Sequence, residues 1–205
     1  MKEMSLNFNG PSDDLLFFFD TETTGLPRSW NAPLRDLDNW PRMVQLAWML
    51  CDAAGNEVAS ACRIVLPQGY VIPTEASRVH GITTERALAE GVPLADVLDE
   101  VLPQLEKAAV AIAHNVSFDE KILGAECLRL GRPHPLLKKK TRCTMKEATT
   151  YCALPGRYGD YKYPNLTELH RKLFNQAFAD AHDALADVRA CKAAFYELRL
   201  RGVIA

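Results

Sequence analysis

The sequence predicts a layered domain of the α/β or α+β class, on three observations. Short apolar runs bounded by turn residues come first along the chain, and helical patterns then alternate with one further apolar run. The length of 205 residues suits one domain, and 48% apolar with 24% charged residues is ordinary globular composition. We expect residues 13–205 to form that single domain and residues 1–12 to be a flexible N-terminal arm.

Three strands are predicted near the start of the chain. Leu15–Asp20 is an apolar run that ends in polar residues, which is typical of a buried central strand. Met43–Asp52 and Glu57–Leu66 are separated by a turn with Gly55, and together they predict a hairpin beside the first strand. A fourth, short buried strand is predicted at Val110–Ala113.

The predicted helices are recognised by capping residues followed by apolar residues at helical spacing. Ser117 is expected to cap the helix that ends at Gly131, and Asn165 to cap the segment LTELHRKLF. The remaining helices are expected to begin at Thr83, near Pro93, at Thr144 and at about Asp183. Residues 152–164 are predicted to be a loop.

Charge and cysteine content limit the possible protein classes. The net charge of −2 is not the basic excess of many nucleic-acid-binding domains, although a local basic rim would not show in it. None of the six cysteines lies in a C-x-x-C pair, so we expect no structural zinc. We find no signal peptide and no apolar run long enough for a bilayer, and the expectation is a reduced, cytoplasmic protein.

The first predicted strand ends in two carboxylates, Asp20 and Glu22. Residues two apart in a strand point to the same face, so these acids repel each other and resist loss of water. A divalent cation removes both penalties, and carboxylate oxygens suit Mg²⁺ or Mn²⁺. By itself the pair fits a solvated strand end at least as well.

Two later segments carry acids near the starts of predicted helices. HNVSFD, residues 114–119, places Asp119 in a first turn, and HDALAD, residues 182–187, places His182 at a helix start with Asp187 beyond it. Each acid alone would fit a favourable charge near a helix N-terminus or an exposed surface, and His182 alone would fit a solvated cap. Asp183 is predicted to be an acid of the first helical turn and not a ligand.

The order of these three segments resembles the DEDDh (DnaQ-like) family of 3′–5′ exonucleases, which includes proofreading subunits of bacterial polymerases. The resemblance extends from about Leu15 to about Leu200 and includes all five signature positions. It implies an RNase H-like fold, with a five-stranded mixed sheet flanked by helices. It also implies two divalent metal ions, Mg²⁺ with Mn²⁺ as a substitute, held by Asp20, Glu22, Asp119 and Asp187, with His182 as the general base.

The resemblance further implies a set of nucleotide-binding residues. They follow the acidic pair, flank Asp119, or lie in the segment RVHGIT: Thr23, Gly25, Leu26, His80, Ile82, Asn115 and Phe118. For His80, an exposed histidine at a helix N-terminus is an equal alternative. Gly25 would also suit a plain turn, and Phe118 could be part of the core.

Three more segments could contact a nucleic-acid strand. LKKKTRCTMK, residues 137–146, carries five basic residues, and the loop 152–164 carries Arg157, Tyr158, Tyr161, Lys162 and Tyr163. Either segment could equally be an ordinary solvated loop. Residues 28–42, with Trp30 and Trp40, form a long connection that could contact substrate, a partner or nothing.

The predicted function is metal-dependent hydrolysis of phosphodiester bonds at nucleic-acid 3′ ends, with release of nucleoside 5′-monophosphates; DNA is expected as the substrate more than RNA. The expected partners are single-stranded or frayed 3′ ends, with a polymerase or a second copy of the chain as possible protein partners, and no membrane. The alternatives are an RNA-trimming exoribonuclease and a non-catalytic nucleic-acid-binding or polymerase-binding module. A metal-dependent phosphatase would not explain the order of the three segments.

Overall fold

The computed structural model describes residues 14–178 and 183–205. The predicted arm, residues 1–12, lies outside these ranges and stays a prediction. The strands are β1 Leu15–Thr23, β2 Met43–Cys51, β3 Glu57–Ile64, β4 Ala108–Ala113 and β5 Lys140–Cys143. The helices are α1 Thr74–His80, α2 Thr84–Glu90, α3 Leu94–Lys107, α4 Val116–Arg129, α5 Thr144–Glu147, α6 Thr149–Cys152, α7 Leu166–Phe174 and α8 Ala184–Leu200.

The strands form one sheet in the order β3-β2-β1-β4-β5, with β1 at its centre. The pairs β3–β2 and β2–β1 are antiparallel, whereas β1–β4 and β4–β5 are parallel. This is the five-stranded mixed sheet with flanking helices of the RNase H-like fold, so the predicted fold class is confirmed. The crossover from β3 to β4 passes through α1, α2 and α3.

Both faces of β1 are buried, which explains its unbroken apolar run. Phe17 and Phe19 face one core that contains residues of α3 and α4. Phe18 faces the opposite core, where its ring meets Phe195 of α8 edge-on with centroids 5.6 Å apart. Because the side chains of a strand alternate between its two faces, β1 packs against helices on both sides of the sheet. This packing fixes its position.

The sequence-based boundaries were wrong at several helices. Asn115 and not Ser117 is the N-cap of α4, and it takes a left-handed conformation (φ 72°) that asparagine tolerates better than most residues. The helix predicted from Thr144 is divided into α5 and α6 at Ala148. Helix α1 was not predicted, and the fifth strand that the resemblance implies was not located in the sequence; β5 is a short edge strand rich in charge, which hides the usual strand pattern.

The long connection between β1 and β2 is fastened to α4. Glu126 is fully buried, and its carboxylate accepts hydrogen bonds from Arg42 Nε at 2.9 Å and from the Met43 backbone at 2.8 Å. Arg129 donates to the carbonyls of Leu37 and Trp40, both at 2.7 Å. These contacts set where the loop runs relative to the first turns of α4.

All six cysteines are free thiols, as expected. Across the described ranges, no helix combines the length and the apolar character that crossing a bilayer would require.

Candidate active site

Three carboxylates converge at the end of the central strand. Asp20 and Glu22 lie on the face of β1 that is covered by α8, and the first turn of α8 carries Asp187. Oxygen atoms of Asp20, Glu22 and Asp187 all lie within 4.8 Å of one another. Glu22 and Asp187, 165 positions apart in the sequence, are thus brought together because α8 packs along β1 and β2.

Asp119, the fourth predicted acid, approaches from the other face of the sheet. It is buried in the first turn of α4, and its Oδ1 accepts hydrogen bonds from the Thr21 backbone N–H at 3.0 Å and from Thr21 Oγ1 at 2.8 Å. Thr21 lies between Asp20 and Glu22 and points to the opposite face, towards α4. Sequence reasoning missed Thr21, because the middle residue of D-x-E looks like a spacer.

The four acids act on one another electrostatically. Burial, followed by the charges of Asp119 and Asp187, holds the pKa of Asp20 well above its ordinary range. Burial and then Asp187 raise the pKa of Glu22 to about 8. Burial raises the pKa of Asp119 to about 7, although the hydrogen bonds from Thr21 oppose that shift.

This donor set fits a divalent cation. Within residues 14–178 and 183–205, no lysine or arginine forms an ion pair with Asp20, Glu22 or Asp119. Asp119 is buried and Asp20 and Glu22 are half-buried; carboxylates held in this way without a positive partner are costly, and a hard cation with oxygen ligands removes that cost. The arrangement therefore suits a hard divalent cation on chemical grounds.

The N-terminus of α8 borders the acidic cluster. Asp183 is its N-cap, with a carboxylate that accepts a hydrogen bond from the Ala186 N–H at 3.0 Å. Its negative charge adds to the elevated pKa of Glu22, so it lies near the cluster as a helix cap. His182, the predicted general base, lies outside the described residues, and its role stays a prediction.

His114 joins three segments at the same edge of the sheet. Its ring nitrogens lie 3.0 Å from Thr144 Oγ1 and 3.0 Å from the carbonyl oxygen of Pro164. Burial lowers the pKa of His114 to about 4, so the ring is neutral near pH 7. Its place between β4, α5 and the loop before α7 makes it a structural bridge, which the motif alone did not reveal.

The segment after the acidic pair takes an irregular path. The pairing of β1 with β2 shifts register between Glu22 and Thr23, and Thr23 Oγ1 donates to the Gly25 carbonyl at 2.6 Å. Gly25 has φ 146°, a conformation that strains residues with a side chain. Leu26 then projects into solvent with 74% of its surface exposed. Asn115 and Phe118 are half-buried beside Asp119.

The RVHGIT segment joins two helices: His80 ends α1, and Thr83 is the N-cap of α2. His80 is the last residue of α1 and is buried, and its Nδ1 accepts a hydrogen bond from the Ile82 N–H at 3.1 Å. The alternative of an exposed histidine at a helix N-terminus is therefore wrong. Ile82 is buried in a small core with Val44 and Ile64, which favours a packing role for its side chain.

The start of the basic run lies away from the acids. Lys140 is level with Val110 of β4, and Val110 is level with Leu16, four residues before Asp20 on β1. Lys139 donates to the Ala108 carbonyl at 2.6 Å, and Arg142 pairs with Glu147. These intramolecular partners favour a structural role for Lys139 and Arg142 over phosphate tracking.

The aromatic loop is well exposed. Tyr158 exposes 93% of its surface, and Tyr161 and Tyr163 expose half or more. A backbone bridge between Pro155 and Tyr161 closes the loop into a small hairpin. The hydrogen bond from His114 to Pro164 fixes its end at the edge of the sheet that carries the acids.

An RNase H-like sheet with clustered acids at the end of its central strand is the arrangement of a nuclease. The family comparison agrees: the model of the RNase_T family, described as exonuclease, matches residues 17–195. The chain belongs to this family, among the DEDDh (DnaQ-like) 3′–5′ exonucleases, and the predicted recognition is confirmed. The protein is therefore an enzyme of the nuclease class.

Two relatives align over most of their own length. An uncharacterized exonuclease of Escherichia phage 186, CP81, is 26% identical over 181 residues, which cover 86% of this chain and 84% of the relative. The epsilon subunit of DNA polymerase III from Treponema pallidum is 27% identical over 177 residues, which cover 86% of this chain and 73% of that subunit.

Solved structures of exonuclease I share the fold. Escherichia coli exonuclease I in complex with a dT13 oligonucleotide matches 92% of this chain with a TM-score of 0.73 at 20% identity. Exonuclease I from Methylocaldum szegediense matches 92% with a TM-score of 0.70 at 22% identity. The chain spans only 41% of either exonuclease I chain.

Proposed function

We propose that the protein is a metal-dependent 3′–5′ exonuclease that removes nucleotides from DNA 3′ ends. The observation that carries the proposal is the convergence of Asp20, Glu22 and Asp187, with Asp119 close enough to raise the pKa of Asp20. The family membership supplies the reaction class, hydrolysis of a phosphodiester bond.

The four acids would hold two divalent ions, Mg²⁺ with Mn²⁺ as a substitute. Such ions lower the pKa of a bound water and stabilise the charge that develops on the phosphate and the leaving oxygen. The chain contributes rigidity: Thr21 orients Asp119, and the packed faces of β1 hold Asp20 and Glu22 at the strand end. Carboxylates held in this way need little rearrangement when ions bind.

The reaction would proceed by attack of water on the phosphorus of the terminal nucleotide. The bond from that phosphorus to the 3′ oxygen of the preceding nucleotide breaks, which releases a nucleoside 5′-monophosphate and a shortened strand with a 3′-hydroxyl. We assign His182 as the base that accepts the proton from water, because its ordinary pKa of about 6.5 suits proton transfer near neutral pH. Its neighbour Asp183 begins α8 beside the acids.

Several residues would bind the terminal nucleotide and the strand behind it. Thr23, Gly25 and Leu26 follow the acidic pair, and Gly25 lets the backbone approach a sugar or base closely. Asn115 and Phe118 would border the same pocket, with His80 and Ile82 contributing through their segment. The exposed rings of the loop 152–164, together with Arg157 and Lys162, would contact the strand further from its end.

The choice of DNA and of partners rests on the relatives. One relative is a subunit of DNA polymerase III, and exonuclease I has been solved with a dT13 oligonucleotide. We infer from these that single-stranded or frayed DNA 3′ ends are the substrate, and that a polymerase is a candidate partner. The six free thiols support a reducing, cytoplasmic compartment.

The direct test uses 5′-labelled single-stranded and double-stranded DNA and RNA oligonucleotides, each with Mg²⁺, with Mn²⁺ and with EDTA. We expect a ladder that shortens from the 3′ end with either metal ion, fastest on DNA, and no products with EDTA. Faster trimming of RNA would replace DNA by RNA as the substrate. No cleavage of any oligonucleotide, with binding retained, would favour the non-catalytic module instead.

A further inference from the structure

The loop 28–42 presents one tryptophan to solvent beside the first turn of α4. Trp30 exposes 49% of its surface, whereas Trp40 and Trp48 expose only 2% and 4%. The Trp30 ring lies against Phe118, with centroids 5.7 Å apart and the ring planes inclined by 55°. Phe118 directly precedes Asp119, so the aromatic pair stands next to the turn of α4 that carries a predicted metal ligand.

The position of Trp30 is set by contacts on both sides of it. The buried Asn39 side chain accepts a hydrogen bond from the Ser29 N–H at 2.7 Å and donates to the Ser29 carbonyl at 3.0 Å. The Trp30 carbonyl accepts a hydrogen bond from Lys121 Nζ at 2.9 Å. The loop therefore fixes the position of Trp30 and leaves about half of this large apolar side chain exposed to solvent, which is unfavourable.

We propose that Trp30 is a base-stacking residue, and that with Phe118 it forms an aromatic shelf that receives a nucleobase of the substrate strand. This inference rests on the proposed function. A nucleobase is the occupant that the surroundings favour, because the shelf adjoins the turn of α4 that carries Asp119, one of the acids proposed to act on a nucleic-acid 3′ end. Stacking on an aromatic face accepts any base, as an exonuclease requires.

Tryptophan emission gives a readout of this contact. Since Trp40 and Trp48 are buried, stacking of a base would quench Trp30 alone, by up to about a third of the total emission of three tryptophans. The probe is a labelled single-stranded DNA with phosphorothioate linkages at its 3′ end, which resist cleavage, in the presence of Mg²⁺. A matched probe carries abasic sites at its 3′-terminal positions.

Label anisotropy measures binding, and emission measures stacking, in the same titration. We expect quenching with the normal strand and none with the abasic strand. Trp30→Ala should weaken binding of the normal strand about tenfold and leave binding of the abasic strand unchanged. Trp30→Phe should retain most of the affinity because it keeps a ring.

The outcomes separate this inference from the proposed function. Binding without quenching, or an equal loss of affinity for both strands in Trp30→Ala, would overturn the shelf while leaving the exonuclease proposal intact. An equal loss would mean that Trp30 only supports Phe118 and Asp119 structurally. If neither strand changes the anisotropy at all, both the shelf and the proposed substrate are wrong.

Discussion

Helix α4 carries two buried acids, Asp119 and Glu126, whose surroundings carry opposite charge. Glu126 and Asp119 are seven residues apart, about two turns, so they lie on the same side of the helix. Glu126 has Arg42 at 2.9 Å and Arg129 at 3.0 Å. Among the described residues, Asp119 forms no ion pair with lysine or arginine; it accepts two hydrogen bonds from Thr21, and other acids face it.

From this difference we infer that Glu126 has a structural role, whereas Asp119 is available to bind the proposed cation. The charge of Glu126 is balanced within the chain, so it can fasten the loop 28–42 to α4 without any bound ion. The charges of Asp119, Asp20 and Glu22 are not balanced by lysine or arginine among the described residues, which is why burial raises their pKa values. Burial alone does not indicate function; burial without a counter-charge does.

The largest expected effect is on the rate of hydrolysis when Asp20 is neutralised, because the charges of the other acids all act on Asp20. Asp20→Asn should lower the rate of DNA hydrolysis by at least about a thousandfold, because a proposed metal ligand is lost. Timed gel assays of 3′-end shortening measure the rate. The control is Glu126→Gln, which alters the balanced acid and should keep its activity per folded molecule. Comparable rates in Asp20→Asn and the wild type would remove Asp20 from the site.

The next effect separates proton transfer from cation binding. His182→Ala should lower the rate about a thousandfold while leaving divalent-ion affinity unchanged, because it removes a base and no ligand. The rate of the wild type should fall as pH drops below the pKa of His182, and the variant should lose that limb. A variant that keeps the wild-type rate and pH profile would exclude His182 as the base.

Stability should respond in the reverse order to activity. Glu126→Gln should lower the free energy of unfolding by about 3 kcal/mol, because it leaves Arg42 and Arg129 without their buried partner. In the absence of divalent ions, Asp20→Asn should not destabilise the protein, since it relieves repulsion. Urea unfolding in EDTA measures both. A destabilised Asp20→Asn beside an unaffected Glu126→Gln would reverse the comparison.

The smallest effect is a dependence of stability on pH without divalent ions. Glu22 keeps its proton in the folded chain up to a pKa of about 8, against an ordinary value of 4.5. Between these values the folded state binds more protons than the unfolded state, so this group makes stability fall as pH rises. Glu22→Gln should therefore show a flatter slope in urea unfolding from about pH 5 to pH 8. Parallel slopes would contradict the raised pKa.

Much of the site could be predicted from the sequence because each acid lies in a short, recognisable segment. The acids Asp20, Glu22, Asp119 and Asp187 occur in the order, and in the kinds of segment, that the family resemblance requires. The alternation of side chains along β1 also predicts that Asp20 and Glu22 share a face. What supports them was not visible. Thr21 reaches a residue 98 positions away, and Glu126 meets Arg42 across 84 positions. Such partners are set by how α4 packs on the sheet, which no local pattern encodes.

The fold likewise divides into elements that a local sequence pattern predicts and elements that depend on tertiary contacts. The apolar central strand and the hairpin were predictable because burial dictates their composition. Strand β5 was missed because an edge strand needs few apolar residues and carries charge. The path of the loop 28–42 was equally hidden, since it depends on contacts with α4 and not on its own sequence.

The central claim is that the acids at the end of β1 form a divalent-cation site and that Glu126 does not. Calorimetric titration with Mn²⁺ at pH 8 tests it on the wild type, Asp20→Asn and Glu126→Gln. We expect Mn²⁺ to bind the wild type and Glu126→Gln alike, and to bind Asp20→Asn far more weakly. Undiminished Mn²⁺ binding to Asp20→Asn, or no binding to the wild type, would contradict the claim.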